Sequence, residues 1–349
     1  MDNDTYDITQ MNPIEKDCFC NFLRTKDIKN FCPIENCLDQ DNLGWHLIQV
    51  GKQETQAFID LAKYYERKKQ HVDALRWFKE SASRGNKYSI FKVALYYENG
   101  LGTSVDYDEA FKWMLMAAQR NFYDAYTKIA FFYRDGRGTP KDYGKAMFYL
   151  LKAAFEKENP LAECIIGLFY KRGQGVEKDL KLAYEWLKKS ADNGYNYSIC
   201  KIGRFYEKGT YVPQNFQEAL KLYKVAAINN YGYAYMRIGD MYFSGKIGEV
   251  NKEIALKYYN LAVQNKGHYA NARIATFYEE GICVEKDMEK AIHHLKLAVG
   301  TGNKDVCLRL GIIFKDGIGV PVDKDEALKW LSTPAEKGDE TAKNLIEQL

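Results

Sequence analysis

Four cysteines near the start of the chain, Cys18, Cys20, Cys32 and Cys37, have the most obvious capacity to hold a metal. Thiolates bind zinc tightly, but structural sites favour C-x2-C to C-x4-C pairs. Here one pair is C-x-C, too tight, and the other is C-x4-C, at the limit. Ordinary thiols are the better expectation, with no metal or other cofactor. Paired glycines, Gly100-Leu-Gly102, Gly136-Arg-Gly138, Gly173-Gln-Gly175 and Gly317-Ile-Gly319, have the outward form of phosphate-cradling loops. No G-x-x-x-x-G-K-[ST] is present and no predicted strand precedes them, so they read as interhelical turns. His293 and His294 are neighbours, and adjacent residues on a helix point about 100° apart, a poor ligand geometry. No nucleophile–base or zinc-protease motif occurs. The chain is therefore expected to be no enzyme.

A different pattern is chemically suggestive. Lys92, Lys128, Ile165, Lys201, Arg237, Arg273 and Arg309 recur at nearly constant spacing, and only Ile165 is not basic. Four residues before each, on the same helical face, stand Tyr88, Asp124, Leu161, Tyr197, Tyr233, Tyr269 and Asp305. Guanidinium groups fork carboxylate oxygens and tyrosines supply stiff contact area. Tyr88, Lys92, Lys128, Tyr197, Lys201, Tyr233, Arg237, Tyr269, Arg273 and Arg309 are thus the candidate ligand-binding stripe, suited to an acidic peptide or a carboxylate terminus. The competing reading is that rings and cations stack within their own helix while nearby Asp and Glu neutralise the charge.

The elements that carry this stripe come from a repeat. Seven segments share the pattern of Val93-Ala94-Leu95-Tyr96-Tyr97 and Ile202-Gly203-Arg204-Phe205-Tyr206, with the central Ala or Gly recurring every 36 or 37 residues. A glycine follows each terminal aromatic by three residues (Gly100, Gly136, Gly173, Gly209, Gly245, Gly281, Gly317), and an alanine lies ten further on (Ala110, Ala146, Ala183, Ala219, Ala255, Ala291, Ala327). Small residues five before the centre, an aliphatic one before it and an aromatic three after it fall on one side of a helix. They let a neighbouring helix approach, with the ring filling the space beyond. The glycine ends this first helix. A second helix opens at Asp106, Asp142, Asp179, Asn215, Asn251, Asp287 or Asp323, residue types whose side chains cap a helix N-terminus.

Gly173-Gln-Gly-Val-Glu-Lys-Asp179, followed by Ala183, Trp186 and Ser190-Ala191, resembles the Sel-one-like repeat, a cousin of the tetratricopeptide repeat. The resemblance covers residues 55–349. It implies an all-α fold, a right-handed superhelical solenoid of antiparallel helix pairs, used as an adaptor or scaffold for other proteins. In tetratricopeptide relatives the equivalent first-helix face lines a concave groove, where basic residues hold peptide carboxylates. Some relatives act in protein quality control, and some serve bacteria or viruses that enter eukaryotic cells.

On this reading residues 1–54 are an N-terminal region of unassigned fold. Residues 55–86 form a tetratricopeptide-like capping repeat, because Ala62 and Ala74 are closer in sequence than the corresponding pairs elsewhere. Full repeats occupy 87–122, 123–159, 160–195, 196–231, 232–267, 268–303 and 304–339, and 340–349 is a C-terminal capping helix. Pro13 through Leu23 is expected to be helical, Trp45, Leu47 and Val50 to cover the first repeat, and Pro334 to kink or fray the last full helix. His294 replaces the usual second-helix Trp or Tyr and is expected to pack.

Composition narrows the function further. The formal charge of +3 over 349 residues is too mild to imply nucleic acid or a membrane surface. No apolar run is long enough to span a bilayer. Eight cysteines without a signal-peptide pattern suit reduced thiols in the cytoplasm, or a host cytosol if export needs no classical signal. The expected partner is an unidentified protein or peptide, acidic in character. An RNA-binding helical repeat is the alternative, disfavoured by the charge balance and by Asp124, Asp240, Glu280 and Asp305 on the same face. An enzyme like the thiol-rich repeat proteins that handle cell-wall analogues would need two cysteines per unit, which this chain lacks.

Overall fold

The computed structural model describes residues 55–300 and 303–349. Cys18, Cys20, Cys32 and Cys37, the helix expected over Pro13 to Leu23 and the covering role of Trp45, Leu47 and Val50 lie outside the described residues. Every regular element among the described residues is helical. The chain divides into two compact units. The described part of the first, residues 55–169 with 173–177, holds α1 (Thr55–Arg67), α2 (His71–Ser83), α3 (Lys87–Asn99), α4 (Tyr107–Gln119), α5 (Asp124–Asp135), α6 (Tyr143–Lys157) and most of α7 (Pro160–Arg172). The last three residues of α7 belong to the second unit. With them are α8 (Leu180–Asp192), α9 (Asn196–Lys208), α10 (Phe216–Ile228), α11 (Gly232–Phe243), α12 (Lys252–Gln264) and α13 (Asn271–Glu280, after a short 3-10 turn). The unit closes with α14 (Met288–Val299), α15 (Lys304–Asp316), α16 (Lys324–Glu336) and α17 (Glu340–Glu347). Odd-numbered helices from α1 to α15 are the first of each antiparallel pair, and even-numbered ones the second.

Helix starts follow the capping chemistry. Asp106, Asp142, Asp179, Asn215, Asn251, Asp287 and Asp323 each accept a hydrogen bond from a backbone N–H two or three residues on. Each removes a donor the helix cannot satisfy itself, worth about 1 kcal/mol. First helices end on Gly100, Gly136, Gly173, Gly209, Gly281 and Gly317, all left-handed with φ between 63° and 70°. In α11 the helix stops at Phe243, and Ser244 caps it by donating its hydroxyl to the Asp240 carbonyl at 2.7 Å, with Gly245 one residue later.

The second glycine of each pair has a separate job. A Cβ on Gly102 would sit 2.4 Å from the His71 carbonyl oxygen, and one on Gly138 2.0 Å from that of Tyr107. Each turn lies against the start of the preceding repeat's second helix, so these glycines are packing positions.

Packing follows the repeat with one correction. The small residues Ser89, Ala125, Ala162, Ser198, Ala234 and Ala270 are fully buried. Ser89 donates to Ser81 Oγ at 2.8 Å across α2 and α3, and Ser190 and Ser198 pair hydroxyls at 2.8 Å across α8 and α9. The ring that fills the core, however, is two residues past the centre: Tyr96, Phe132, Phe169, Phe205 and Phe277 are buried, whereas the next aromatic is half-buried. One helical step turns that next ring sideways onto the second helix of its own pair. Tyr133 stacks on Tyr149 at 5.9 Å, Tyr242 on Tyr258 at 5.7 Å and Tyr278 on His294 at 5.7 Å. His294 packs as expected, its Nδ1 2.9 Å from Asn271 Oδ1, and burial followed by the neighbouring His293 charge lowers its pKa.

Pro334 does not end its helix. It is buried within the last turn of α16, which runs on to Glu336, and its carbonyl accepts from the Asp339 N–H at 3.0 Å. So near the C-terminus, the missing N–H costs one bond and leaves no long stretch to derail.

Candidate functional site

Nine of the ten stripe residues lie on first helices, and Tyr269 lies on the short 3-10 turn that leads into α13. In the first unit, Lys92 donates to Glu66 at 2.8 Å and Lys128 to Glu98 at 2.9 Å. In the second, Arg237 reaches Glu207 at 2.5 Å and Asp240 at 2.7 Å, Arg273 reaches Asp240 at 3.1 Å, and Arg309 reaches Glu279 at 2.5 Å. Four of these five acids, Glu66, Glu98, Glu207 and Glu279, share one repeat position, four residues past the central Ala or Gly. The acid of one first helix thus meets the base of the next, forming a charge ladder within each unit.

The repeat pattern alone does not single out these acids, and its signal for them is weak. The ladder position reads Glu66, Glu98, Arg134, Lys171, Glu207, Phe243, Glu279 and Lys315. Where it becomes Arg134, the following base becomes Ile165, the one non-basic residue of the row. Arg134 turns instead to Asp135, Nε donating to Oδ1 at 2.7 Å.

Glu207 shows how deeply the ladder is built in. Gly203, one turn earlier on α9, leaves room for the Tyr223 ring of α10, which a Cβ there would meet at 2.7 Å. Tyr223 donates its hydroxyl to Glu207 at 2.8 Å, joined by Arg237 and by Lys246 at 2.9 Å. Gly239 admits Tyr259 in the same way, and the Tyr259 hydroxyl donates to Asp240 at 3.0 Å. Glu207 is only 4% exposed. Burial alone would raise its pKa, but the Arg237 hydrogen bond and charge, then Lys246 and Tyr223, hold it down to about 2. Charged and fully bonded, it serves as a structural cross-link.

The tyrosines divide differently. The Lys201 ammonium lies 4.3 Å from the Tyr197 ring on its own helix, and Lys92 lies 5.9 Å from Tyr88. Tyr233 and Tyr269, one repeat apart, meet edge-to-face at 6.4 Å. Tyr269 is 54% exposed and Arg273 58%, whereas Arg237 is 15% exposed. Aromatic and cation therefore stand open together at Tyr269 and Arg273, while Arg237 faces inward.

Among the described residues no three His, Cys, Asp or Glu side chains gather as a metal site, and no helix is long and apolar enough to cross a membrane. Cys164, Cys200, Cys283 and Cys307 stand outside any disulfide.

A family profile described as the Sel1 repeat matches residues 61–86, 87–122, 124–154, 160–195, 196–231, 232–266, 268–299 and 305–339. The chain belongs to the Sel1 repeat family. Sel1 repeat proteins commonly serve as protein–protein interaction scaffolds and are generally non-catalytic. The profile places residues 61–86 among the Sel1 repeats, although the turn between α1 and α2 is shorter than in the other pairs. The chain is similar to the crystal structure of c5321, a protective antigen of uropathogenic Escherichia coli displaying an SLR fold, at 25% identity and a TM-score of 0.62. That match covers 87% of this chain and 66% of the antigen, just under two thirds of its length. A Sel1 repeat protein from Oxalobacter formigenes is 29% identical with a TM-score of 0.61, over 71% of this chain and 100% of that one. Yeast Tom70, 15% identical with a TM-score of 0.51 over 89% of this chain and 64% of that one, shares the fold alone. No curated protein matches the chain.

Proposed function

We propose that this Sel1 repeat protein is a non-catalytic scaffold or adaptor whose first-helix face receives an acidic peptide segment of a partner protein. The reading is carried by Tyr269 and Arg273, a large ring and a guanidinium exposed side by side where the core needs neither. Exposed Tyr and Arg are the residue types that most often dominate protein recognition. The Tyr233 ring stiffens the Tyr269 side chain from the preceding repeat. Arg273 also joins the ladder through Asp240 yet stays open, whereas Lys92, Lys128, Arg237 and Arg309 give the face its cationic row but are more covered, so they orient and pack more than they contact a ligand. Tyr88, Tyr197 and Lys201 line the same row. The ladder's carboxylates on this face weigh against RNA, whose phosphates they would repel. Cysteines outside any disulfide support work in a reducing compartment such as the cytosol.

Affinity capture from a cell lysate tests the reading, with the wild-type chain and the Tyr269→Ala/Arg273→Glu double variant as baits. Proteins held by the wild type and lost by the variant are the expected result. Identical proteins on both baits would remove the first-helix face from the binding surface.

A further inference from the structure

The four ladder glutamates are not equally closed. Glu66 accepts from Lys92 at both oxygens and from the Tyr96 hydroxyl at 3.2 Å. Glu98 takes the Lys128 ammonium at both oxygens. Glu207 holds Lys246 on one oxygen and Arg237 with Tyr223 on the other. Glu279 accepts from Arg309 at Oε2 alone, and its Oε1, shielded from solvent, has no hydrogen-bond partner among the described residues. A shielded carboxylate oxygen left unbonded is costly, because it has given up water and gained nothing in return.

The repeat register shows which donors are replaced. Leu295 stands at the position of Tyr223, Ile313 at that of Tyr96 and Ile318 at that of Lys246. Ala275 stands where Gly203 makes room for the tyrosine ring. Asp240, the second acid on Arg237, becomes Ile312 beside Arg309. Around these exchanges lies an open cavity of about 250 Å³, with Met288, Ile312, Ile313 and Ile318 as its apolar wall and Glu279 and Arg309 on its polar side. Pockets for drug-sized ligands start at about 300 Å³, so this one suits a single large side chain.

We infer that this cavity receives a tyrosine side chain of a partner protein, its ring against Met288, Ile312 and Ile318 and its hydroxyl donating to Glu279 Oε1. The partner's phenol then plays for Glu279 the part that Tyr223 plays for Glu207 and Tyr96 for Glu66. Rotation about the last side-chain bond of a glutamate is soft, so the carboxylate that lines the cavity can turn this oxygen toward it. Charge selects the neutral phenol over a lysine. Arg309 and Lys286 already line the cavity with a single carboxylate, and a third cation would be repelled. Resting on the scaffold reading for its occupant, the site needs neither Tyr269 nor Arg273 as a contact.

The test follows the Met288 methyl resonance of the full chain, isotope-labelled at its methionine methyls, during titration with N-acetyl-tyrosinamide. The signal is expected to shift saturably. N-acetyl-phenylalaninamide is expected to need about tenfold higher concentration, the loss of one hydrogen bond to a charged group. Ile318→Lys, at an exposed position, reproduces Lys246 and is expected to abolish the shift without lowering the melting temperature. Ala275→Gly/Leu295→Tyr rebuilds the pairing of Gly203 with Tyr223 and is expected to erase the preference for the phenol. Ile318→Lys, which leaves the core untouched, decides the matter should that double variant fail to fold. Equal midpoints for the two amides on the wild type overturn the inference. So does unchanged binding by Ile318→Lys, or a stronger response to N-acetyl-lysinamide. If tyrosinamide moves no Met288 signal, the cavity site falls, while capture through Tyr269 and Arg273 still decides the scaffold reading on its own.

Discussion

Gly203 and Tyr223 belong to different helices, yet neither position makes sense alone. A methyl group at 203 would strike the Tyr223 ring and push its hydroxyl away from Glu207. Helix propensity favours Ala over Gly by up to about 1 kcal/mol, but overpacking a filled core costs about 1–3 kcal/mol. Gly203→Ala is therefore expected to lower the urea midpoint, and a raised midpoint would contradict this packing. Arg237→Ala removes the guanidinium that Glu207 and Asp240 share, leaving Glu207 to Lys246 and Tyr223 and Asp240 to Arg273 and Tyr259, and should cost about 3 kcal/mol in the same assay. Glu207 also sets an acid limit. Its pKa is below the ordinary 4.5, so folding favours the carboxylate. That stabilisation is complete above pH 4.5 and fades as pH falls toward 2. Melting temperatures across this window should fall for the wild type and fall less steeply for Glu207→Gln. Parallel curves would deny the group its role. Little of this was legible in the sequence: Arg237 meets Glu207 across 30 residues, and half the repeats lack an acid at that position.

At the scale of helices and turns, sequence and structure agree more closely. The seven caps and six left-handed glycines are local chemistry, set within a few residues, and a repeating pattern exposes them. Placing the core ring one residue too late shows where locality ends. Both aromatics lie on the inner half of the helix, and only the neighbouring helices decide which enters the core. The turns also contain a fault. Cys283 occupies the position that is glycine in four other repeats, and it adopts φ 57° with its side chain exposed. A residue with a Cβ pays about 1–2 kcal/mol for that conformation. Cys283→Gly should recover roughly half of it after the added freedom of the unfolded chain is counted. Gly102→Ala, whose Cβ would meet the His71 carbonyl, should lose about 2 kcal/mol or more. Thermal melts of the two variants should move in opposite directions; a shared direction would sink this account of the turns.

Across the molecule, repeat arrays draw their stability from contacts between neighbouring units, so charge at each junction must be balanced locally. The ladder provides that balance at most junctions, and recognition is left to what stands open on the face, Tyr269 outside the ladder and Arg273 at its exposed edge. The sequence displays the cationic row plainly but not its division into paired and available charge, because the acids come from other helices. The most direct test compares Arg237→Ala with Tyr269→Ala/Arg273→Ala, measuring unfolding and partner capture on the same preparations. Arg237→Ala should melt well below the wild type. The double variant should melt within a few degrees of it and lose its captured proteins, since an exposed pair contributes at most about 1 kcal/mol. A double variant that melts early, or that melts normally and retains every partner, would contradict the division of this face into ladder and binding surface.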